Sequence, residues 1–251
     1  MTFHASLMRN LKITIQYDGT SYHGWQMQQN GRTVQGELTR VLSILDHRPV
    51  TVYGAGRTDA GVHAEGQVAN FFVERDFEPR LLRDAINGNL DRDVRVQEVV
   101  PVSDSFNARY SAKKKTYCYR IWTGDVVSPF LYRYVHHYRA GLDIEQMQHA
   151  AATLIGTHDF TAFTVASSDA EDHVRTLVDL VIGQQADEIS IIASADGFLR
   201  YMVRTIVGTL IEVGRGKRTA ASVAATLESL ERAKAGPSAP ANGLTLVRVD
   251  Y

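Results

Sequence analysis

Leu11-Lys-Ile-Thr-Ile-Gln-Tyr17 is the stretch from which the fold can be read. Leu11, Ile13, Ile15 and Tyr17 alternate with Lys12, Thr14 and Gln16, the period of a strand buried on one face. The period then changes. Val34, Leu38, Val41, Leu42 and Leu45 recur at helical spacing, and Thr33 stands where an N-cap belongs. Further strands are expected at Val50–Tyr53, Gln67–Val73 and Val94–Val100, and a short helix from Pro79 through Leu81, Leu82 and Ile86. Beyond that, Thr116–Trp122 alternates again, with Tyr117, Tyr119 and Ile121 on one face. Asp143 caps a helix carrying Ile144, Met147, Ala151 and Leu154, with Gln146 at the capping-box position and Gly156 as its stop. A short strand is expected at Ile189–Ile192. Phe198–Val213 carries the strongest apolar stripe, Thr219–Lys234 a further helix and Leu244–Val249 a closing strand. Strands and helices mix without a strict βαβ rhythm. That predicts an α+β chain with mixed or antiparallel sheets and helices packed on one side. The division expected is an N-terminal half, 1–106, and a C-terminal half, 107–251, with no repeat legible between them.

The composition suits such a chain. Of 251 residues, 44% are apolar and 22% charged, enough to bury a core without covalent staples. The single cysteine, Cys118, excludes an internal disulfide and any cysteine-based zinc site. Residues 1–10 lack the apolar core of a secretory signal, and no apolar run approaches membrane-spanning length, so a cytoplasmic protein with no membrane partner is expected. The net charge is −1, but it is unevenly placed. Residues 107–140 hold seven Lys or Arg against one acid, Asp125, and residues 198–218 hold five against Glu212. Residues 157–196 between them hold eight acids and one base, Arg175. Phosphate binding depends on local basic surface rather than net charge, although clustered charges on solvated faces would produce the same pattern.

Chemistry is expected in Gly54-Ala-Gly-Arg-Thr-Asp-Ala-Gly-Val-His-Ala-Glu-Gly66. Four glycines in thirteen residues between two strands imply unusual dihedrals or a close approach by another group. Known glycine motifs do not fit. Asp59 occupies the third glycine of a dinucleotide fingerprint, and Gln67 replaces the lysine of a P-loop. What remains is a rigid loop displaying Arg57, Thr58, Asp59 and His63. A carboxylate held this way can act as acid, base or nucleophile. It can equally stabilise the turn, as Asx side chains often do, and the loop alone favours that simpler role.

Taken along the chain, these residues resemble the tRNA pseudouridine synthase A family, whose signature reads G-R-T-D-A-G-V-H with the catalytic aspartate at the D. Tyr17-Asp-Gly-Thr-Ser-Tyr-His-Gly-Trp-Gln26 is similar to the family's opening strand and turn. Phe106-Asn-Ala-Arg109 and Lys115-Thr-Tyr-Cys-Tyr119 resemble its central segment. Gly156-Thr-His-Asp-Phe160, Phe198-Leu-Arg-Tyr-Met-Val-Arg204, Pro237–Leu246 and Val249-Asp-Tyr251 follow in family order. Asp91 departs from the pattern, since the family usually has proline after Asn89-Leu90. The acidic segment Ala166–Asp172 matches poorly.

The resemblance implies two similar α+β halves around a central cleft, and isomerisation of uridine to pseudouridine at positions 38, 39 and 40 of the tRNA anticodon arm. The N1–C1′ bond breaks and a C5–C1′ bond forms, so no cofactor is implied, and no metal. Asp59 is implied to be the nucleophile or base, with Arg204 as its basic partner and Tyr117 as the aromatic that stacks on the target base. By helical spacing Arg204 lies at the border of the buried stripe of its helix. Arg57, beside Asp59, suits a phosphate or the gap left by a flipped base. Lys113-Lys114-Lys115 suits backbone phosphates. tRNA is the implied partner, bound by a homodimer.

Other candidates are weaker. Cys118 points to the strand face opposite Tyr117, His63 sits in a glycine-rich turn with no second histidine at ligand spacing, and His136-His137 point to opposite faces if extended. Two further functions share these residues. A hydrolase would use the same carboxylate and release uracil, and a non-catalytic tRNA-binding module would need the basic patches alone.

Overall fold

The computed structural model describes residues 8–165 and 172–251, which form ten β-strands and five α-helices. An α+β chain is what the alternating periods predicted. The chain divides into two compact units, Met1–Ala112 together with Tyr251, and Lys113–Asp250.

In the first unit β1 (Arg9–Tyr17) runs between β3 (His63–Val73) and β4 (Val94–Pro101), antiparallel to both, and β2 (Val52–Gly54) adds to β3. Ile13 pairs with Ala69 on one side and Val99 on the other, so the alternation of β1 is carried across the sheet. Leu11, Ile13 and Ile15 are fully buried. Helix α1 (Val34–Asp46) buries Val34, Leu38, Val41 and Leu42, and Thr33 Oγ1 accepts the Gly36 N–H at 3.2 Å as its cap. Helix α2 (Pro79–Asn89) opens with proline after Glu78, whose carboxylate accepts the N–H groups of Arg80 and Leu81. It buries Leu82 and Ile86, while Leu81 faces solvent. Residues 107–112 belong to this unit for a definite reason. The buried Asn70 amide accepts the Ala108 N–H at 2.9 Å, and the Ala108 carbonyl accepts the Tyr251 hydroxyl at 2.8 Å.

The second unit holds β5 (Lys114–Trp122), β6 (His136–His137), α3 (Ile144–Ala152), β7 (Gly156–Asp159), β8 (Val174–Gln185), β9 (Glu188–Ala195), α4 (Met202–Gly214), α5 (Ala220–Ser229) and β10 (Leu244–Asp250). Within it the strands run β10-β5-β9-β8-β7, all antiparallel, with the short β6 parallel to β5. Tyr119, Ile191 and Ile182 are in register and buried on one face. Cys118, Ile192 and Val181 are in register on the other, where Val181 is 57% exposed. The helices cover the first face, α3 packing on β8 and α4 on α3.

The short strands β6 and β7 were not anticipated, and four further departures from expectation each have a local reason. β3 starts at His63 rather than Gln67, because residues 64–67 pair with β1 instead of staying in the loop. β8 was not anticipated. A bulge between Leu177 and Asp179 breaks its alternation, and Val174, Leu177, Val178 and Val181 fall at spacings that fit a helix as well as a strand. α4 starts at Met202 instead of Phe198. Phe198 is held edge-on to Tyr117 at 5.1 Å, the Thr164 hydroxyl donates to the Arg200 carbonyl at 2.9 Å, and Tyr201 adopts a left-handed φ of 62°. α5 ends at Ser229, where Leu230 turns left-handed at φ 57°, and residues 232–234 form a separate 3-10 turn. The acidic segment Ala166–Asp172 lies outside the described residues apart from Asp172. Asp91, the departure from the family pattern, receives Arg32 at 2.6 Å, and the same guanidinium bonds Asp93 at 2.8 Å.

Candidate active site

The loop joining β2 to β3 is held from both ends and from beneath. The Ala55 N–H donates to Val68 O at 2.8 Å and the Gln67 amide to Gly56 O at 3.0 Å. In the middle, the Trp25 N–H donates to the Thr58 carbonyl at 3.1 Å. After Asp59 the turn closes with a backbone bond, Val62 N–H to Asp59 O at 3.1 Å. Gly61, at φ 79°, sends its N–H to Tyr22 O at 3.3 Å. The expected need for glycine is met here, and it extends to a residue outside the loop. Gly24 has φ 91°, and a Cβ on it would lie 2.5 Å from the Thr58 carbonyl oxygen. The turn at residues 18–26 is therefore the bed on which the Asp59 loop lies, a role its sequence did not disclose.

On this bed Thr58 is buried and Asp59 half-buried, while Arg57 is exposed with Nε 3.1 Å from Gln26 Oε1. A carboxylate between a pinned carbonyl and a closed turn has little freedom of position, which is what a group acting on one bond of a substrate needs. His63 is buried, as a structural histidine. Its Nδ1 accepts the Gly19 N–H at 3.0 Å and lies 3.3 Å from Asp18 Oδ1.

The second unit carries Tyr117 and Arg204. Tyr117 lies on β5 with 7% of its surface exposed, its ring edge-on to Phe198. Arg204 stands in the first turn of α4, half-buried, as its border position in the stripe implied. Its Nε donates to the Ala239 carbonyl at 2.7 Å, the Ala239 N–H returns a bond to the Arg204 carbonyl at 2.9 Å, and its guanidinium lies 4.9 Å from the Tyr201 ring centroid. Ala239 belongs to the segment 235–243, a loop by composition that acts as a strap. Gly236 N–H bonds Thr209 Oγ1 at 2.9 Å, and Pro240 O accepts the Tyr119 hydroxyl at 2.9 Å. Burial pushes the Tyr119 hydroxyl above its ordinary pKa, with the Arg204 charge acting in the opposite direction.

The strap approaches α4 at Gly208, where an added Cβ would lie 1.7 Å from the Pro237 carbonyl oxygen. An isolated glycine in a strongly apolar helix is a sequence signal for such an approach. Gly208→Ala should cost about 1–3 kcal/mol through overpacking. It should lower the melting temperature by roughly 3–10 °C, and turnover should fall with it as the strap moves off Arg204. Thermal melting and a steady-state assay check both. An unchanged melting point would mean the strap yields without strain.

The remaining candidates separate. His137 Nε2 pairs with the Gly124 carbonyl at 2.8 Å, whereas His136 lies between the rings of Tyr119 and Tyr138. Burial, and secondarily His137, holds the His136 pKa below its ordinary value. Cys118 is half-buried on the face away from Tyr117. Among the described residues no three His, Cys, Asp or Glu side chains gather as a metal ion would require, and no helix is long and apolar enough to cross a membrane.

The basic runs are partly neutralised. Arg120 makes two bonds to Glu188, at 2.7 and 2.8 Å, holding that carboxyl below its usual range despite partial burial. Lys114 lies 3.8 Å from Asp250, and Arg218 bonds Glu212. Arg109, Lys113, Arg133, Arg139, Arg200, Arg215 and Lys217 remain on exposed surface.

The family model for tRNA pseudouridine synthase matches residues 13–111 and 150–251. The tRNA pseudouridine synthase A of Anoxybacillus flavithermus is 46% identical over 97% of this chain and 99% of its own length. That of Acetivibrio thermocellus is 44% identical over 97% and 100%. That of Thermodesulfovibrio yellowstonii is 41% identical over the same shares.

Proposed function

This chain belongs to the tRNA pseudouridine synthase family, and on that premise we propose that it converts uridine to pseudouridine at positions 38, 39 and 40 of the tRNA anticodon arm, with Asp59 acting on the target nucleotide. The observation that carries the proposal is the rigid seating of Asp59, half-exposed on a loop whose backbone is fixed on both sides of it. The carboxylate acts on the ribose, by attack on C1′ or by taking a proton from the sugar. Carboxylates serve glycosidic bond cleavage at an oxocarbenium-like centre in a related way. The uracil then turns and rejoins through C5; the C5 proton passes to water and N1 takes a proton from water. The composition is unchanged, so the reaction calls for no group-transfer cofactor.

Tyr117 is proposed to stack on the base. Arg204 is proposed as the basic partner of the carboxylate, and Arg57 to hold a phosphate or the space a flipped base leaves. Lys113, exposed ahead of β5, suits the RNA backbone. We propose further, from the family resemblance alone, that the working species is a homodimer bound to tRNA in the cytoplasm.

The test uses unmodified tRNA transcripts carrying C5-tritiated uridine. Tritium should be released without any change in RNA mass, and carbodiimide mapping should find pseudouridine at positions 38–40. Release of free uracil would convert the reading to a hydrolase. Tight tRNA binding without tritium release would make the chain a binding module. Pseudouridine confined to other positions would overturn the assignment to the anticodon arm.

A further inference from the structure

Beneath the Asp59 loop lies a buried polar cluster to which the reaction itself assigns no role. Tyr17, the last residue of β1, is 5% exposed, and its hydroxyl lies 2.8 Å from Thr58 Oγ1. Thr58 immediately precedes Asp59. Gln67, on β3 and fully buried, completes the group. Its Oε1 accepts the Val68 N–H at 3.1 Å, which fixes the orientation of the amide. The NH₂ then faces Gly56 O at 3.0 Å. In the Tyr17–Thr58 pair either hydroxyl can be the donor. Burial raises the Tyr17 pKa to about 12, against the smaller effects of Thr58 and Gln67, so the hydroxyl stays protonated and able to donate.

Packing alone does not call for this hydroxyl. Tyr17 sits among apolar residues, with the Trp25 ring centroid 6.3 Å away, and a phenylalanine would fill the same volume. The hydroxyl adds a second hold on Thr58, beside the bond that the Trp25 N–H makes to the Thr58 carbonyl. Side chain and carbonyl of one residue are each tied to the β1–turn segment, and that residue is covalently next to the carboxylate. The buried phenol holds the Thr58 side chain and the buried Gln67 amide holds the Gly56 carbonyl, both in the segment that leads into Asp59.

We propose that Tyr17, through Thr58 and supported by Gln67, is a positioning residue that sets the reach of the Asp59 carboxylate toward the ribose. The inference rests on Asp59 being the reacting carboxylate. It concerns orientation within a folded loop, so it separates chemistry from binding. Misplacement by about an ångström can lower a rate on the order of a hundredfold without altering affinity.

The experiment measures single-turnover tritium release at saturating tRNA, together with tRNA affinity and thermal melting, for Tyr17→Phe, Thr58→Val and the double variant. The expected result is a rate loss of roughly 10–100-fold in each single variant, with tRNA affinity within threefold of wild type. The double variant should be no slower than the slower single one, because the two hydroxyls act as one unit. Thr58→Ser, which restores the hydroxyl, should recover most of the rate lost in Thr58→Val. If Tyr17→Phe does not fold, the comparison of Thr58→Val with Thr58→Ser decides alone. A folded Tyr17→Phe, or a Thr58→Val, with a rate within twofold of wild type overturns the proposal. So does a loss that appears only as weaker tRNA binding, and so do losses that multiply in the double variant. Asp59→Asn run beside them separates the two readings. Its retention of activity would remove Asp59 from the mechanism, whereas an inactive Asp59→Asn beside a normal Tyr17→Phe would remove Tyr17 alone.

Discussion

Asp59→Asn should abolish pseudouridine formation, by a factor of about 10⁴ or more, and leave tRNA affinity within a few-fold of wild type. The substitution keeps the shape of the side chain and removes its charge and nucleophilicity. Loss of a group that enters the reaction itself typically costs on the order of 10⁴–10⁶ in turnover. The fold should tolerate the change, because asparagine keeps the shape of aspartate and the loop is also held by backbone groups of Ala55, Thr58, Gly61 and Val62 and by the side chains of Tyr17 and Gln67. Affinity should survive because phosphate contacts dominate RNA binding. Tritium release from C5-labelled tRNA reports the first quantity and filter binding the second. Near-normal release would exclude Asp59 from the chemistry, whatever the binding result.

Arg204→Ala should lower single-turnover rate roughly 10²–10³-fold, a loss of the size seen when one charged group that stabilises a reacting centre is removed. Two roles must be separated, partner of the carboxylate and holder of a phosphate. A phosphate contact would show in binding. Its loss would weaken tRNA affinity and reduce the salt dependence of binding by about one counterion. A partner of the carboxylate would show in rate at saturating tRNA, with the salt dependence unchanged, and that is the expected outcome. Arg204→Lys keeps the charge but loses the planar fork and the Nε–H that holds Ala239 at 2.7 Å. It should fall between the alanine variant and wild type. A folded alanine variant whose whole defect is weaker, less salt-sensitive tRNA binding would make Arg204 an RNA-backbone contact and dissolve its proposed pairing with Asp59.

Much of the fold was legible because it rests on local periodicity. β1, α1, α2, β4 and β10 were readable within three residues of their ends, and the caps at Thr33 and Asp143 hold as read. The failures came where a distant contact overrides a local pattern. Phe198–Tyr201 continues a helical stripe in the letters, yet Phe198 is drawn to Tyr117 and the Arg200 carbonyl to Thr164. Val174–Gln185 lost its strand signature to one bulge at Val178. The basic runs counted from the sequence overstated the exposed positive charge, since Arg120 and Arg218 are paired with Glu188 and Glu212.

By itself the sequence determined the α+β class, the family, and the loop on which Asp59 stands, because alternation, capping and a contiguous thirteen-residue signature are all local properties of the chain. The tertiary structure alone decided what holds those residues in place. Gly24 lies under Thr58, Tyr17 secures the residue before Asp59, and Ala239 secures Arg204, each separated in sequence from the residue it serves by tens of positions. No composition, spacing or period encodes such pairings. A hydrogen bond between distant residues is specified by the packed core that brings them within 3 Å, and the core exists only once the strands have found their register.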